Sequence, residues 1–248
     1  MQFQLPTPLH GWRAFWGEVG IIVFGVLIAL GAQQLVEDRG ERERFRSSIK
    51  ALRDDAARQD WSAAEFEVVR PCIMAQIDAI EARLTSADRA PVPSFHEAEY
   101  RDDYVIRIPD RVLSTSVWQS VSSSDLLRRL DPKLDARLAS HYELVARNRT
   151  LTEASLDIVH QLRTLSVMMP SSEAERMRYF DLLERLRGNV ILMDTNAGQT
   201  HDFLTGVGFA AQPAWYRMLP SSSGTFIFCK AHRLTLGKLR PAIVGNAG

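Results

Sequence analysis

The sequence predicts an all-α protein: one N-terminal transmembrane helix continuing into a stalk, then a small antiparallel helical bundle with an irregular C-terminal tail. Three observations predict it. From Val19 to Ala32 no residue is charged or strongly polar. From Phe45 to Leu84 apolar side chains recur at alternating steps of four and three, the mark of one helix face. Beyond Gly206 the chain becomes rich in proline and glycine and loses its acidic residues. With 46% hydrophobic and 24% charged residues the composition is globular, which excludes wholesale disorder. Thirty basic residues against thirty acidic ones leave no basic excess, so no nucleic-acid partner is expected.

The first element is the membrane helix, residues 14–36, after a short tail of residues 1–13. At about 1.5 Å per residue it covers roughly 34 Å, enough for the hydrocarbon core. Trp12, Phe15 and Trp16 crowd one end, where amphipathic rings favour the headgroup level, and Glu37-Asp38-Arg39 closes the other. Ala29-Leu30-Gly31 has the small residues of a signal-peptide cleavage site before Ala32. Against that reading, the leading segment is long, holds Glu18, and has only Arg13 as a strong base. An uncleaved anchor in the lipid bilayer is therefore expected. Glu18, Gly25, Ala29 and Ala32 fall on one face of this helix. Small residues permit close helix contact and a polar one can hydrogen-bond across it, so this face predicts a homodimer.

Trp16-Gly-Glu-Val-Gly-Ile-Ile-Val-Phe-Gly-Val-Leu-Ile-Ala-Leu30, with Glu37 behind it, resembles the anchor of a bacterial domain-of-unknown-function family of single-pass membrane proteins. Leu113-Ser-Thr-Ser-Val-Trp-Gln-Ser-Val121, followed by Leu126-Leu127 and Asp131-Pro-Lys-Leu134, is similar to related proteins. The resemblance spans residues 12–145. It implies a single-pass membrane protein and carries no activity with it; a bacterial inner membrane is the expected location.

Residues 37–205 are expected to form the helical extramembrane domain. Phe45, Ile49, Leu52, Ala56, Gln59, Ala63, Phe66, Arg70, Ile73, Ile77, Ile80 and Leu84 make its first stripe. Such a stripe suits an amphipathic helix packed in its own bundle, or an intermolecular coiled coil, and the first is favoured. Gln59 and Arg70 interrupt it, and Pro71 is expected to kink or split the helix near residues 67–70. Residues 85–111 read as a break, with an extended piece at Tyr104-Val-Ile-Arg-Ile-Pro109 as one option. Helix signals return at Ser114 to Ser116. They return again at Asp131-Pro132, an N-cap followed by proline at the first helical position, opening a helix toward Met168 that Pro170 stops. Ser172-Glu-Ala-Glu175 has capping-box spacing and opens a last helix, which Gly206 and Gly208 end. Residues 206–248 form the basic irregular tail, with a β-like run at Thr225-Phe-Ile-Phe-Cys229 and five bases: Arg217, Lys230, Arg233, Lys238 and Arg240. With Trp215, Tyr216, Phe226 and Phe228 among them, the tail either docks on the bundle or rests on anionic headgroups.

Motifs that carry chemistry are scarce. No phosphate loop, nucleophile elbow or zinc helix motif occurs, so no catalytic residue, cofactor or metal ligand is assigned. Glu153, Asp157 and His160 share a helix face as half of a di-metal pattern without a second copy, and read as a solvated surface. His96-Glu97-Ala-Glu99-Tyr-Arg-Asp102-Asp103 lacks a spaced cation loop. The serines from Ser114 to Ser124 read as caps and turns. Together these features favour a non-enzymatic protein, an anchored interaction or scaffold module that self-associates. The alternative is a membrane-tethered ligand-sensing bundle or an enzyme of unrecognised site. Counting only Lys and Arg favours a cytoplasmic domain. Local neutralisation of Arg39, Arg42, Arg44 and Arg46 by neighbouring acids tips the balance to the periplasm, where a Cys72–Cys229 disulfide is permitted.

Overall fold

In a computed structural model, which describes residues 11–97, 100–111, 113–124 and 130–238, helix α1 spans Gly11–Thr85. The chain divides at Lys50/Ala51 into two units. In the first, α1 carries an apolar stretch long enough to cross a membrane, and none of that stretch is buried in the protein. Gly25, Ala29 and Ala32 are exposed on it. The side chain of Glu18 lies outside the described residues, as do residues 1–10.

Helix α1 continues unbroken past the apolar stretch, and in the second unit it supplies much of the core. Leu52, Ala56, Ile73, Ile77, Ile80 and Leu84 are buried, so the four-three stripe packs within its own chain. Pro71 neither splits the helix nor ends it. Proline removes the N–H that would bond the Glu67 carbonyl. The chain at Gly237 covers this place, and its N–H donates to the Val68 carbonyl at 2.7 Å.

After α1 comes an antiparallel ribbon, β1 (Phe95–Glu97) with β2 (Tyr100–Tyr104), whose register pairs Phe95 with Tyr104. The extended piece therefore lies earlier than Tyr104–Pro109. Val105, Ile106 and Ile108 follow it as buried irregular chain. Helix α2 is Ser116–Ser122 and α3 is Pro132–Leu162. The Asp131 side chain caps α3 by accepting from the N–H groups of Lys133 and Leu134. A 3₁₀ turn, Arg163–Ser166, ends α3 before the expected Met168.

Helix α4, Glu173–Gly206, opens on the predicted capping box, with Ser172 and Glu175 bonded reciprocally. Hydrogen bonds from the Ser171 and Ser172 N–H groups hold the Glu175 carboxyl below its ordinary range. Past α4, Gly208 takes φ +71°, a left-handed conformation that suits glycine. Along the α3–α4 seam Asn148 meets Asn196, Thr152 meets Met193 and Ser155 meets Asn189. The core joins α1 to Ile158, Val159 and Leu162 of α3 and to Leu183, Leu186 and Val190 of α4.

The expected irregular tail is corrected by two further helices, α5 (Pro213–Ser222) and α6 (Gly224–Ala231). The β-like run 225–229 lies in α6. A short apolar run has no period of its own, and here the Ser223 side chain accepts from the Phe226 N–H and starts a helix. Cys229 on α6 is disulfide-bonded to Cys72 on α1, with Cα atoms 6.0 Å apart and both residues wholly buried. Phe209, Ala211, Tyr216, Leu219 and Cys229 are buried, so this segment packs on the rest of the second unit instead of trailing from it. Residues 239–248, including Arg240, lie outside the described residues.

Candidate functional site

One short stretch of α1 organises the polar interior of the second unit. Asp55, Gln59, Asp60 and Glu65 are all buried there, and each is anchored to another part of the chain. Gln59 donates to Asp55 at 2.7 Å, so its carbonyl oxygen faces the His141 Nε2 at 2.7 Å, which must carry the hydrogen. Tyr142 donates to the same Asp55 at 2.9 Å. Burial lowers the His141 pKa to about 4, and the ring is neutral at pH 7. Burial, followed by the Asp55 charge, pushes the Tyr142 hydroxyl well above its ordinary value.

The Asp60 carboxylate, fully buried, gathers three donors. His201 Nδ1 lies 2.9 Å from one oxygen. The other accepts the Ala211 N–H at 2.8 Å and the hydroxyl of Tyr216 in a short hydrogen bond. Burial first, then the bond to Asp60, raises the Tyr216 pKa. This knot fastens α4 and α5 to α1.

Beside these networks a cleft of about 640 Å³ opens between α1, the segment 111–117 and α5. Two indoles line it, Trp61 and Trp215, and the Trp61 Nε1–H donates to the Trp215 carbonyl at 3.0 Å. The Arg111 guanidinium lies 4.5 Å above the Trp61 ring. It reaches both oxygens of Glu65, at 2.7 and 3.2 Å, and donates to the Ser222 carbonyl. Glu65, with a side chain 2% exposed, is thereby neutralised in place. Arg58 likewise pairs with Asp55 at 3.2 Å. The hydroxyls of Ser62, Ser114, Ser116 and Ser222 complete the polar lining. A smaller recess of about 50 Å³ shares Gln59, Ser62, Arg111 and Leu113 with the cleft and adds Asn148, Thr152 and Thr200. Apolar walls with a few fixed polar groups are the usual build of a small-molecule site.

The predicted candidates fall elsewhere, with one exception. Glu153 pairs with Arg149 and Asp157 with Gln161, so they are not drawn together with His160. Among the described residues no group of three or more His, Cys, Asp or Glu side chains gathers as a metal site. The side chains of residues 96–103 lie outside the described residues. Ser122, Ser123 and Ser124 bond main-chain carbonyls, as turn serines do, whereas Ser114 and Ser116 reach the cleft. Sequence reasoning missed Asp55, Asp60, Trp61, Glu65 and Arg111. The available signal was Gln59, a polar interruption of an apolar stripe, which marks the point where the core turns polar. No family model, no curated protein and no solved structure matches this chain.

Proposed function

We propose that this chain is a membrane-anchored, ligand-binding helical module whose soluble unit holds a small molecule in the Trp61/Trp215 cleft. The cleft carries the reading. An apolar concavity with a few convergent polar groups favours a binding module, whereas a scaffold would be expected to show an exposed apolar patch. In this reading α3 and α4 form an antiparallel pair, as the descending partners along their seam suggest, and residues 14–36 of α1 cross a bacterial inner membrane. The resemblance of its anchor to a single-pass bacterial family belongs to the same reading.

The soluble unit is placed in the periplasm, and the Cys72–Cys229 disulfide supports that side, because such bridges persist in oxidising compartments. Self-association through Glu18, Gly25, Ala29 and Ala32 remains part of the proposal, as a way for two clefts to act together.

The test is occupancy. Full-length protein in detergent is heated with a metabolite library of mixed charge and size, beside a Ser62→Tyr variant whose ring fills the cleft. At least one compound is expected to raise the unfolding temperature of the wild type and leave the variant unmoved. A library that stabilises neither, or both alike, overturns the reading.

A further inference from the structure

We infer that the cleft takes a neutral, polyhydroxylated ligand with an apolar face, a saccharide; the inference rests on the binding reading above and adds the chemical class. Charge is the first argument. Both guanidinia at the cleft already have carboxylate partners, Arg58 with Asp55 and Arg111 with Glu65. An anionic ligand would draw on a guanidinium already shared with a carboxylate, Arg58 with Asp55 or Arg111 with the buried Glu65, and so upset a balance of two charges of each sign. A cationic ligand meets the mirror problem at Asp55, whose oxygens already hold Gln59, Tyr142 and Arg58. The lining is electrically complete, and it favours a ligand without charge.

The second argument is the pairing of surfaces. A pyranose presents C–H groups on its faces and hydroxyls around its rim. Trp215 offers indole surface for a face, and Trp61, one face of which carries the Arg111 guanidinium, adds aromatic wall beside it. At the opening the Ser114 and Ser116 hydroxyls bond each other at 2.8 Å and the Ser222 hydroxyl donates to the Met218 carbonyl, so with Ser62 they present oxygens that can accept from a sugar rim.

Size and depth agree. The cleft, about 640 Å³, lies within the small-molecule range of roughly 300 to 1,000 Å³. The adjoining recess, polar through Asn148, Thr152 and Thr200, has room for a few waters or for one exocyclic hydroxyl group.

The experiment titrates full-length protein, held in a zwitterionic detergent without a sugar headgroup, with cellobiose, maltose and chitobiose. Benzoate and glutamate serve as charged probes and an apolar dye as the third arm. Tryptophan fluorescence and calorimetry read the binding. A disaccharide is expected to bind, and both Trp215→Ala and Ser116→Tyr to weaken it at least about tenfold, while His232→Ala, at a different hollow, leaves it unchanged. Ser116 is exposed and bears on no core packing, so its variant stays informative if Trp215→Ala misfolds. If benzoate, glutamate or the dye binds in a Ser116-dependent way and no disaccharide does, the saccharide class is overturned and the binding reading stands. If no probe binds, both fall.

Discussion

The amide of Gly237 donates to the carbonyl of Val68 across 2.7 Å, on the turn of α1 that Pro71 leaves short of a donor. The approach is close enough that a Cβ at residue 237 would sit 2.9 Å from the Glu67 carbonyl oxygen and 3.4 Å from that of Val68. Both are backbone atoms of the central helix, which cannot step aside as a flexible side chain would. Glycine fits there because no Cβ stands against the α1 backbone, beside the Glu67 carbonyl that Pro71 leaves without its helical donor.

Gly237→Ala is therefore expected to destabilise the second unit by about 1 to 3 kcal/mol through forced displacement of the 234–238 segment. Urea unfolding followed by far-ultraviolet circular dichroism measures it. A midpoint equal to that of the wild type would mean that the contact at Val68 is dispensable.

Asp60 holds three donors from three places in the chain, so its removal orphans all of them at once. Asp60→Ala is expected to cost about 3 to 5 kcal/mol, since each partner stays buried. Tyr216→Phe, which removes one donor and leaves the carboxylate two, should cost about 1 to 3 kcal/mol. The same unfolding experiment ranks them, and a Tyr216→Phe loss as large as the Asp60→Ala loss would contradict the arrangement.

These residues also mark how far the sequence could be read. The face of α1 was legible because buried apolar positions repeat with the helix, and the caps at Asp131 and Ser172 because capping is settled within four residues. Helix α6 was not. Five residues, Thr225 to Cys229, are too few to show a period, and what makes them helical is the Ser223 cap together with burial against α1. The cleft was hidden for a related reason: Trp61, Arg111 and Trp215 are far apart along the chain and only folding joins them. Gln59 alone hinted at it, as a break in an apolar stripe.

His141 makes stability depend on pH. Its folded pKa is about 4 against an ordinary 6.5, because burial disfavours the imidazolium. Between those values the unfolded chain binds a proton that the folded chain refuses, so stability is full above pH 6.5 and falls as pH drops toward 4. The loss from this residue reaches about 3 kcal/mol at the acid end. His141→Gln keeps a donor for Gln59 without titrating. Unfolding free energies of the two proteins between pH 7 and pH 4.5 should converge as the wild type loses its advantage, and parallel curves would remove His141 as the cause.

In the first unit, Gly25 and Ala29 are exposed on α1 and leave room for close approach by another helix. Replacing both with leucine should weaken self-association in a membrane two-hybrid assay. Association as strong as that of the wild type would exclude this face as the contact.

The disulfide closes a long loop, with 157 residues separating Cys72 from Cys229. On the chain-entropy account, a loop of that length is worth about 5 kcal/mol, before any residual order in the unfolded chain reduces it. It also fastens α6 to the face of α1 next to Pro71, so reduction should loosen the C-terminal helices first. The bridge links stability to location, because the cytoplasm keeps thiols reduced and the periplasm does not. Cells expressing the full chain are denatured in a thiol-blocking reagent, and the protein is then reduced and tagged with a polyethylene-glycol maleimide. Two tags should appear after reduction and none without it, and the blocked wild type should migrate faster than Cys72→Ala on a non-reducing gel. In a strain lacking its periplasmic thiol oxidase, the cysteines should be blocked from the start and take no tag. A wild type whose cysteines are already blocked in normal cells would mean that the bridge does not form, and would remove its support for the proposed periplasmic side.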